Sequence, residues 1–269
     1  MPPCFTKGKG WARMEFELTL GAYMLVCPLV FLAGLIDSVA GGGGLISIPA
    51  YLAAGLPAHL AAGTNKLSAM IGTGAATIRF FRGGRIRMAC ALTAAALALP
   101  GSYLGTLAFN RIDEATVVRM MLAVIPIVAA VVLLRRGSFG GSFELSEKWL
   151  LPVCALIGLA IGFYDGLVGP GTGTFLILAF TFLTGMDAVT ASGSAKVVNL
   201  ASNIASAVTQ IFAGHVLFAL GLPAAVFGLA GNMVGAQLAL RGGEKIVRLM
   251  LLIVLALLLA NMAMKLAAA

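Results

Sequence analysis

The stretch GLIDSVAGGGG at Gly34–Gly44 returns 128 residues later as GFYDGLVGPGT at Gly162–Thr172, which sets Asp37 against Asp165, Gly41 against Gly169 and Gly43 against Gly171. After a two-residue insertion the offset becomes 130. AAGTNK (Ala61–Lys66) then meets ASGSAK (Ala191–Lys196), GGRI (Gly83–Ile86) meets AGHV (Ala213–Val216), GSYLG (Gly101–Gly105) meets GNMVG (Gly231–Gly235), and Arg111 falls on Arg241. An ordered series of matches at one spacing marks duplication of a structural unit. Whatever this chain folds into has to be assembled from two copies of one plan.

That plan is written in apolar segments. In the first half they run over about 18–40, 44–57, 61–81, 88–109 and 115–134, and in the second over about 149–168, 172–185, 188–212, 216–240 and 246–265. Of the 269 residues 60% are apolar and only 10% are charged, against roughly 25% charge in soluble domains. So few charges cannot clothe a water-soluble globule, and segments near the roughly 20 residues of a bilayer crossing point to lipid as the solvent. The reading is an all-α, polytopic membrane protein forming a single integral membrane domain over 1–269. Repeat 1 spans about 18–136 and repeat 2 about 149–266, joined by a cytoplasmic loop over 137–148. The second segment of each half is too short to cross as a helix and directly follows a glycine cluster. Short, Gly/Pro-interrupted segments in matching positions of two halves are expected to be broken or re-entrant helices meeting near the bilayer midplane.

Loop charge sets the orientation. Lys and Arg gather on the cytoplasmic side, and Arg79, Arg82, Arg85 and Arg87 follow the third segment. Five crossings per half then place Arg135, Arg136, Lys148, Arg241, Lys245 and Arg248 on that same side, against Arg111, Arg119 and Lys265 opposite. With residues 1–13 set aside this sorting is cleaner than that of four crossings per half, so 5+5 inverted repeats are expected. The run after Lys7, Lys9 and Arg13 is long and lacks a small-residue cleavage site, which reads as a retained first helix rather than a signal peptide. Residues 1–13 themselves read as an extension ahead of Met14.

Several function classes drop out. The net charge of +8 is topological, since no basic stripe with interleaved aromatics forms a nucleic-acid surface. Cys4, Cys27, Cys90 and Cys154 form no C-x-x-C pair and only His59 and His215 accompany them, so neither metal site nor cofactor is expected and the cysteines read as packing residues. No Walker sequence follows either glycine cluster.

Four charges remain deep inside apolar segments: Asp37, Lys66, Asp165 and Lys196. Each costs about 2.5–3.5 kcal/mol at the bilayer centre on insertion scales, so intramembrane ions mark function by default, the alternative being Asp–Lys pairs that hold a bundle together. Thr64, Asn65 and Ser68 flank Lys66. Ser192, Lys196, Asn199 and Asn203 share one helical face, with Ser194 beside them. A cation among hydroxyl and amide donors suits a small oxyanion, although such groups also serve as interhelical hydrogen bonds. Gly43, Gly44, Gly171, Thr172 and Gly173 complete the candidate binding set, because unwound glycine-rich backbone offers N–H groups to an anion at the next helix start. Asp37 and Asp165 are read as proton relays or structural ion-pair partners. The pairs Gly101/Gly105 and Gly231/Gly235 read as close helix contacts.

On these residues the chain resembles a known family. The Asp before a poly-Gly run, the G-T-N-K at Gly63–Lys66 and the G-P-G-T-G at Gly169–Gly173 look like the paired signatures of the TauE/SafE sulfite exporter family of bacterial membrane proteins. The second-half A-S-G-S-A-K lacks the Asn of G-T-N-K, a departure from strict symmetry. The resemblance implies a multi-pass inner-membrane carrier of sulfite, an organosulfonate or another small sulfur anion, with export coupled to the proton gradient. Homo-oligomerisation is compatible with such a chain, and lipid is its other partner. Two alternatives stand beside a non-enzymatic carrier: an anion channel, and an intramembrane enzyme using Ser192 or Ser194 with Lys196 as a Ser–Lys pair, for which no Gly-x-Ser-x-Gly elbow exists.

Overall fold

The computed structural model describes residues 19–113, 115–117, 119–120 and 146–267. Regular structure among them is entirely helical: α1 (Leu20–Ala40), α2 (Gly44–Ala53), α3 (Ala58–Arg82), α4 (Met88–Phe109), α5 (Glu147–Leu167), α6 (Thr172–Thr184), α7 (Ala188–Phe212) and α8 (Phe218–Ala267). Helix α8 breaks at Gly243, whose φ is 59°. The expectations for residues 1–13, Cys4, most of the segment over 115–134 and the 137–148 loop as far as residue 145 lie outside the described residues.

Helices α1, α4, α5 and the Phe218–Val247 part of α8 are long and apolar enough to cross a bilayer. Leu20 of α1, Leu156 of α5 and Phe212 at the end of α7 are 75%, 66% and 82% exposed. Large apolar side chains left bare over so much of the surface need an apolar solvent. Helices α3 and α7 have 25 residues each, about 37 Å at 1.5 Å per residue, enough to span a roughly 30 Å hydrocarbon core. They fall short on hydropathy because they carry the polar residues, and they can do so because other helices surround them. Lys66, Thr73, Lys196, Asn203 and Gln210 are all buried.

The two halves interlock. The heaviest packing is of α4 on α5 and of α1 on α8, followed by α3 on α8, α4 on α7 and α3 on α7. Each outer helix of one repeat thus lies on the last described helix of the other. Glycines permit the approach: a Cβ at Gly231 would sit 2.0 Å from Phe31 O and one at Gly105 2.1 Å from Phe163 O, so Gly101/Gly105 and Gly231/Gly235 are close-contact sites as their spacing predicts. The turns interlock in the same way. Arg87 N–H donates to Ser194 Oγ at 3.1 Å, and Leu217 N–H donates to Thr64 Oγ1 at 3.0 Å. These two latches are equivalent under the 130-residue offset, and each joins the turn after one long central helix to the first third of the other.

Short helices α2 and α6 have 10 and 13 residues. Helix α1 stops where Gly41 takes φ 77° and sends its N–H back to Asp37 O at 2.7 Å. Gly171 stands before α6 with φ 84°. Both conformations are ones that L side chains avoid. Helix α2 ends at Ala53, earlier than the apolar run, because Gly55 turns to positive φ and Pro57 starts α3.

Candidate functional site

The breaks after α1 and α5 touch backbone to backbone at the middle of the bundle. A Cβ on Gly41 would lie 2.1 Å from the carbonyl carbon of Gly173, and one on Gly44 would lie 3.4 Å from Pro170 Cα. Thr174 stitches the two together, donating its N–H to Gly41 O at 3.3 Å and its hydroxyl to Ala40 O at 2.8 Å. The broken segments therefore brace each other, so the unwound backbone of one repeat is satisfied partly by the other.

All four intramembrane charges converge at this crossing, and each ion pair joins different repeats. Lys66 Nζ lies 2.7 Å from Asp165 Oδ2, and Lys196 Nζ lies 2.7 Å from Asp37 Oδ2. The other carboxylate oxygens are held locally. Gly43 N–H donates to Asp37 Oδ1 at 3.3 Å, and Thr172 Oγ1–H donates to Asp165 Oδ1 at 2.7 Å.

The pairs are related by the duplication but differ in placement. Lys196 is fully buried and hydrogen-bonds both the carboxylate and the backbone carbonyl of Asp37. Lys66 keeps 9% of its side chain exposed, and its hydrogen bond goes to Asn203 Oδ1 at 3.2 Å. Each ammonium thus has two oxygen partners, but of the two lysines Lys66 lines the central cavity and Lys196 does not.

Beside Lys66 lies a cavity offering about 50 Å³ to the centres of water-sized molecules. One water needs about 10–15 Å³ on that measure, so the space matches a cluster of a few waters or one small polyatomic ion. Asn65, Ser68, Asn199, Asn203 and Asn232 supply polar wall, and Asp37 and Asp165 border it. Gly43 and Gly44 at the start of α2 and Gly171, Thr172 and Gly173 at the start of α6 line it too. The positive ends of two helix dipoles thus share one cavity with an ammonium group and two carboxylates, so the dipoles and the ammonium favour an anion that the carboxylates oppose.

Of the residues expected from sequence, Asp37, Asn65, Lys66, Asp165, Asn199, Gly43, Gly44, Gly171, Thr172 and Gly173 meet around this cavity. Thr64, Ser192, Ser194 and Lys196 stand behind its wall. Thr64 and Ser194 accept the turn N–H groups of Leu217 and Arg87, and Ser192 Oγ lies 3.2 and 3.1 Å from the carbonyls of Ser38 and Val39, to which it donates. Their hydroxyls are thereby occupied in fastening one repeat to the other. Asn232 was not singled out by sequence, although an amide between Gly231 and Gly235 inside an apolar helix was the available signal. Its Nδ2–H group reaches Gly228 O at 2.9 Å, while its buried Oδ1 has no protein partner. Among the described residues no three metal-ligating side chains come together.

Residues 26–262 match the family model described as Sulfite exporter TauE/SafE. The chain is similar to the probable membrane transporter protein YfcA of Escherichia coli K12, at 36% identity over 93% of this chain and 91% of that protein. It is also similar to the probable membrane transporter protein ORF9 of a Sinorhizobium species, at 36% identity over 89% and 91%, and to a probable membrane transporter protein of Haemophilus influenzae, at 34% over 86% and 91%. No solved structure matches.

Proposed function

This chain belongs to the sulfite exporter TauE/SafE family of membrane transporters, and from that premise we propose that it carries a small sulfur oxyanion, sulfite or an organosulfonate, across the bacterial inner membrane by alternating access. The observation that carries the reading is the Lys66 cavity, where one ammonium and two helix starts border a space of oxyanion size.

The anion binds with its oxygens toward Lys66 Nζ, the amides of Asn65 and Asn199, and backbone around Gly43, Gly44, Gly171, Thr172 and Gly173. Two lysines and two aspartates make the crossing neutral before loading. An incoming anion displaces Asp165 from Lys66, and a proton taken up by Asp165 restores neutrality; a net charge left in a medium of low dielectric is costly. Asp165 is thus the candidate proton site, and Asp37 anchors Lys196. Thr64, Ser192, Ser194 and Lys196 contribute by holding the repeats in register.

Inverted repeats are part of the proposal. Its support is that the turn after α3 is latched to the beginning of α7 and the turn after α7 to the beginning of α3; helices joined end to beginning in both directions run antiparallel. In inverted-repeat carriers the two halves exchange conformations around a fixed central site, which opens it to the two sides in turn. The inequality of the Lys66 and Lys196 environments is what one such state requires. Transport rather than Ser–Lys catalysis is favoured because Lys196 is spent on Asp37 and both serine hydroxyls have other partners.

Flux of sulfite and short organosulfonates in proteoliposomes tests the reading. Saturable uptake is expected from the native protein and none from Lys66→Ala; native-like flux in that variant rejects the assignment, and non-saturating conductance of the native protein marks a channel.

A further inference from the structure

A second concavity lies on the lipid-facing side, between the last turns of α3 and the middle of α8. This groove of about 310 Å³ has apolar walls from Ala75, Ile78, Met233 and Leu240, and Arg79 and Arg82 stand at its end. Ile78 and Met233 are 56% and 40% exposed, so the walls face the region that hydrocarbon chains occupy. Arg79 is half-buried there. Its Nε and Nη2 groups both donate to Gln237 Oε1, the Nε bond measuring 2.8 Å.

That arrangement fixes the guanidinium without neutralising it. A guanidinium carries five N–H donors, and the amide oxygen of Gln237 takes two. Among the described residues no carboxylate is ion-paired with Arg79 or Arg82. A half-buried, oriented and unneutralised arginine is a site prepared for an anion, and guanidinium geometry matches phosphate oxygens.

The duplication supplies an internal control. Under the 130-residue offset the equivalent positions on α7 and α4 carry Thr209, Phe212 and Leu107 where this groove has Arg79, Arg82 and Gln237. The scaffold therefore closes without the arginines. Nor does terminating a long helix require them as partners for its dipole, since α7 ends with no basic residue in its last turn. Interfacial sorting of positive charge accounts for arginines at this end of the bundle, but not for a glutamine placed to orient one of them.

We propose that this groove is a binding site for an anionic phospholipid, whose headgroup phosphate lies on Arg79 and Arg82 and whose acyl chain lies along Ile78 and Met233. Charge complementarity selects the occupant, because basic pockets between transmembrane helices at the interface recognise acidic headgroups, and the apolar walls exclude a free ion as the better fit. The site is independent of the transport cavity and of its substrate.

The full chain in nanodiscs of phosphatidylcholine, alone or with phosphatidylglycerol, provides the test. Thermal unfolding and the lipid retained in native mass spectrometry are the readouts. Phosphatidylglycerol is expected to raise the unfolding temperature of the native protein and to be retained on it. The Arg79→Gln/Arg82→Gln variant is expected to keep its phosphatidylcholine stability and lose the increment, with affinity falling about fivefold for each arginine, the size expected of one interfacial basic residue. Gln237→Leu, which leaves both charges but frees Arg79, is expected to give a partial loss. Lys148→Gln, an exposed basic residue outside the groove, should behave as native. An equal increment in the native and double-variant proteins, an equal loss in Lys148→Gln, or the same stabilisation by inorganic phosphate in phosphatidylcholine would each overturn the proposal.

Discussion

Lys66 Nζ and Asp165 Oδ2 stand 2.7 Å apart across the boundary between the repeats, yet the lysine gives its hydrogen bond to Asn203. Its counterpart Lys196 gives hydrogen bonds to Asp37 itself. One duplicated pair has thereby become two arrangements, one with its lysine on the cavity wall and one with its lysine behind it.

The difference predicts separable phenotypes. Lys66→Ala strands Asp165, whose side chain is 3% exposed, and should cost about 3–5 kcal/mol in addition to abolishing saturable flux. Lys196→Ala strands Asp37, whose side chain is 16% exposed and borders the same cavity, so it should cost less than Lys66→Ala while also abolishing flux. Replacing both members, Lys196→Met with Asp37→Asn, should restore most of that stability without restoring transport. Thermal unfolding and flux measured on the same preparations check this; equal destabilisation by the two single variants would contradict it.

At the crossing of the broken helices, substitution of glycine should be costly for a local reason. Gly41→Ala places a methyl 2.1 Å from backbone of Gly173 at φ 77°, whereas Gly84→Ala, at φ 66°, has nothing within 4 Å. The second should cost about 1–2 kcal/mol, the left-handed backbone penalty alone, and the first should prevent recovery of folded protein. Yield of monodisperse protein and unfolding temperature give the comparison.

The turn latches should matter for stability and not for substrate affinity. Thr64→Val and Ser194→Ala each leave a turn N–H without its acceptor, a loss of about 1–3 kcal/mol. KM for the transported anion should stay at its native value in both. A KM raised tenfold with unchanged stability would instead put these hydroxyls on the substrate.

Asp187 caps α7 outside the apolar segments, accepting from the N–H groups of Val189 and Thr190 at 3.1 and 3.0 Å. Partial burial pushes its carboxyl upward, but the hydrogen bonds from Thr190 and Val189 and the nearby Arg85 outweigh this and hold it below the ordinary 3.8. A folded value below the unfolded one contributes stability above pH 3.8 that is lost as pH falls through the folded value. Asp187→Ala should therefore cost about 0.5–2 kcal/mol at neutral pH, as for loss of a helix cap. The gap from native should close on acidification below pH 3.8.

Opposite sidedness of repeat-equivalent turns follows from inversion. Gly84 and Gly214 occupy matching exposed turns with φ 66° and 75°. Single cysteines there, in a background without native cysteines, should react with a membrane-impermeant reagent from opposite sides, position 84 from the cytoplasm. Labelling from one side only would leave parallel repeats.

Sequence carried the duplication, the glycine breaks and the four charges inside apolar segments, because each is a local signal or a repeat of one. The start of α7 at Ala188 and of α4 at Met88 could be read from the edges of apolar runs. Pairing could not. Nothing in a 29- or 31-residue spacing distinguishes a lysine that meets the aspartate of its own repeat from one that meets the other, since that choice depends on which helices become neighbours. The division of Thr64 and Ser194 from Asn65 and Asn199 was hidden for a related reason: adjacent positions on a helix point about 100° apart, and only the packed bundle shows which direction is cavity and which is turn.

Exchange of counterions between the halves has a consequence for how the chain is made. While only the first repeat has left the ribosome, Lys66 and Asp37 enter lipid before either partner exists. The newborn half must hold these charges near water, or wait beside the insertion machinery, until Asp165 and Lys196 arrive. The native ion pairs therefore form only once both halves are present, so the second repeat completes the electrostatics of the first.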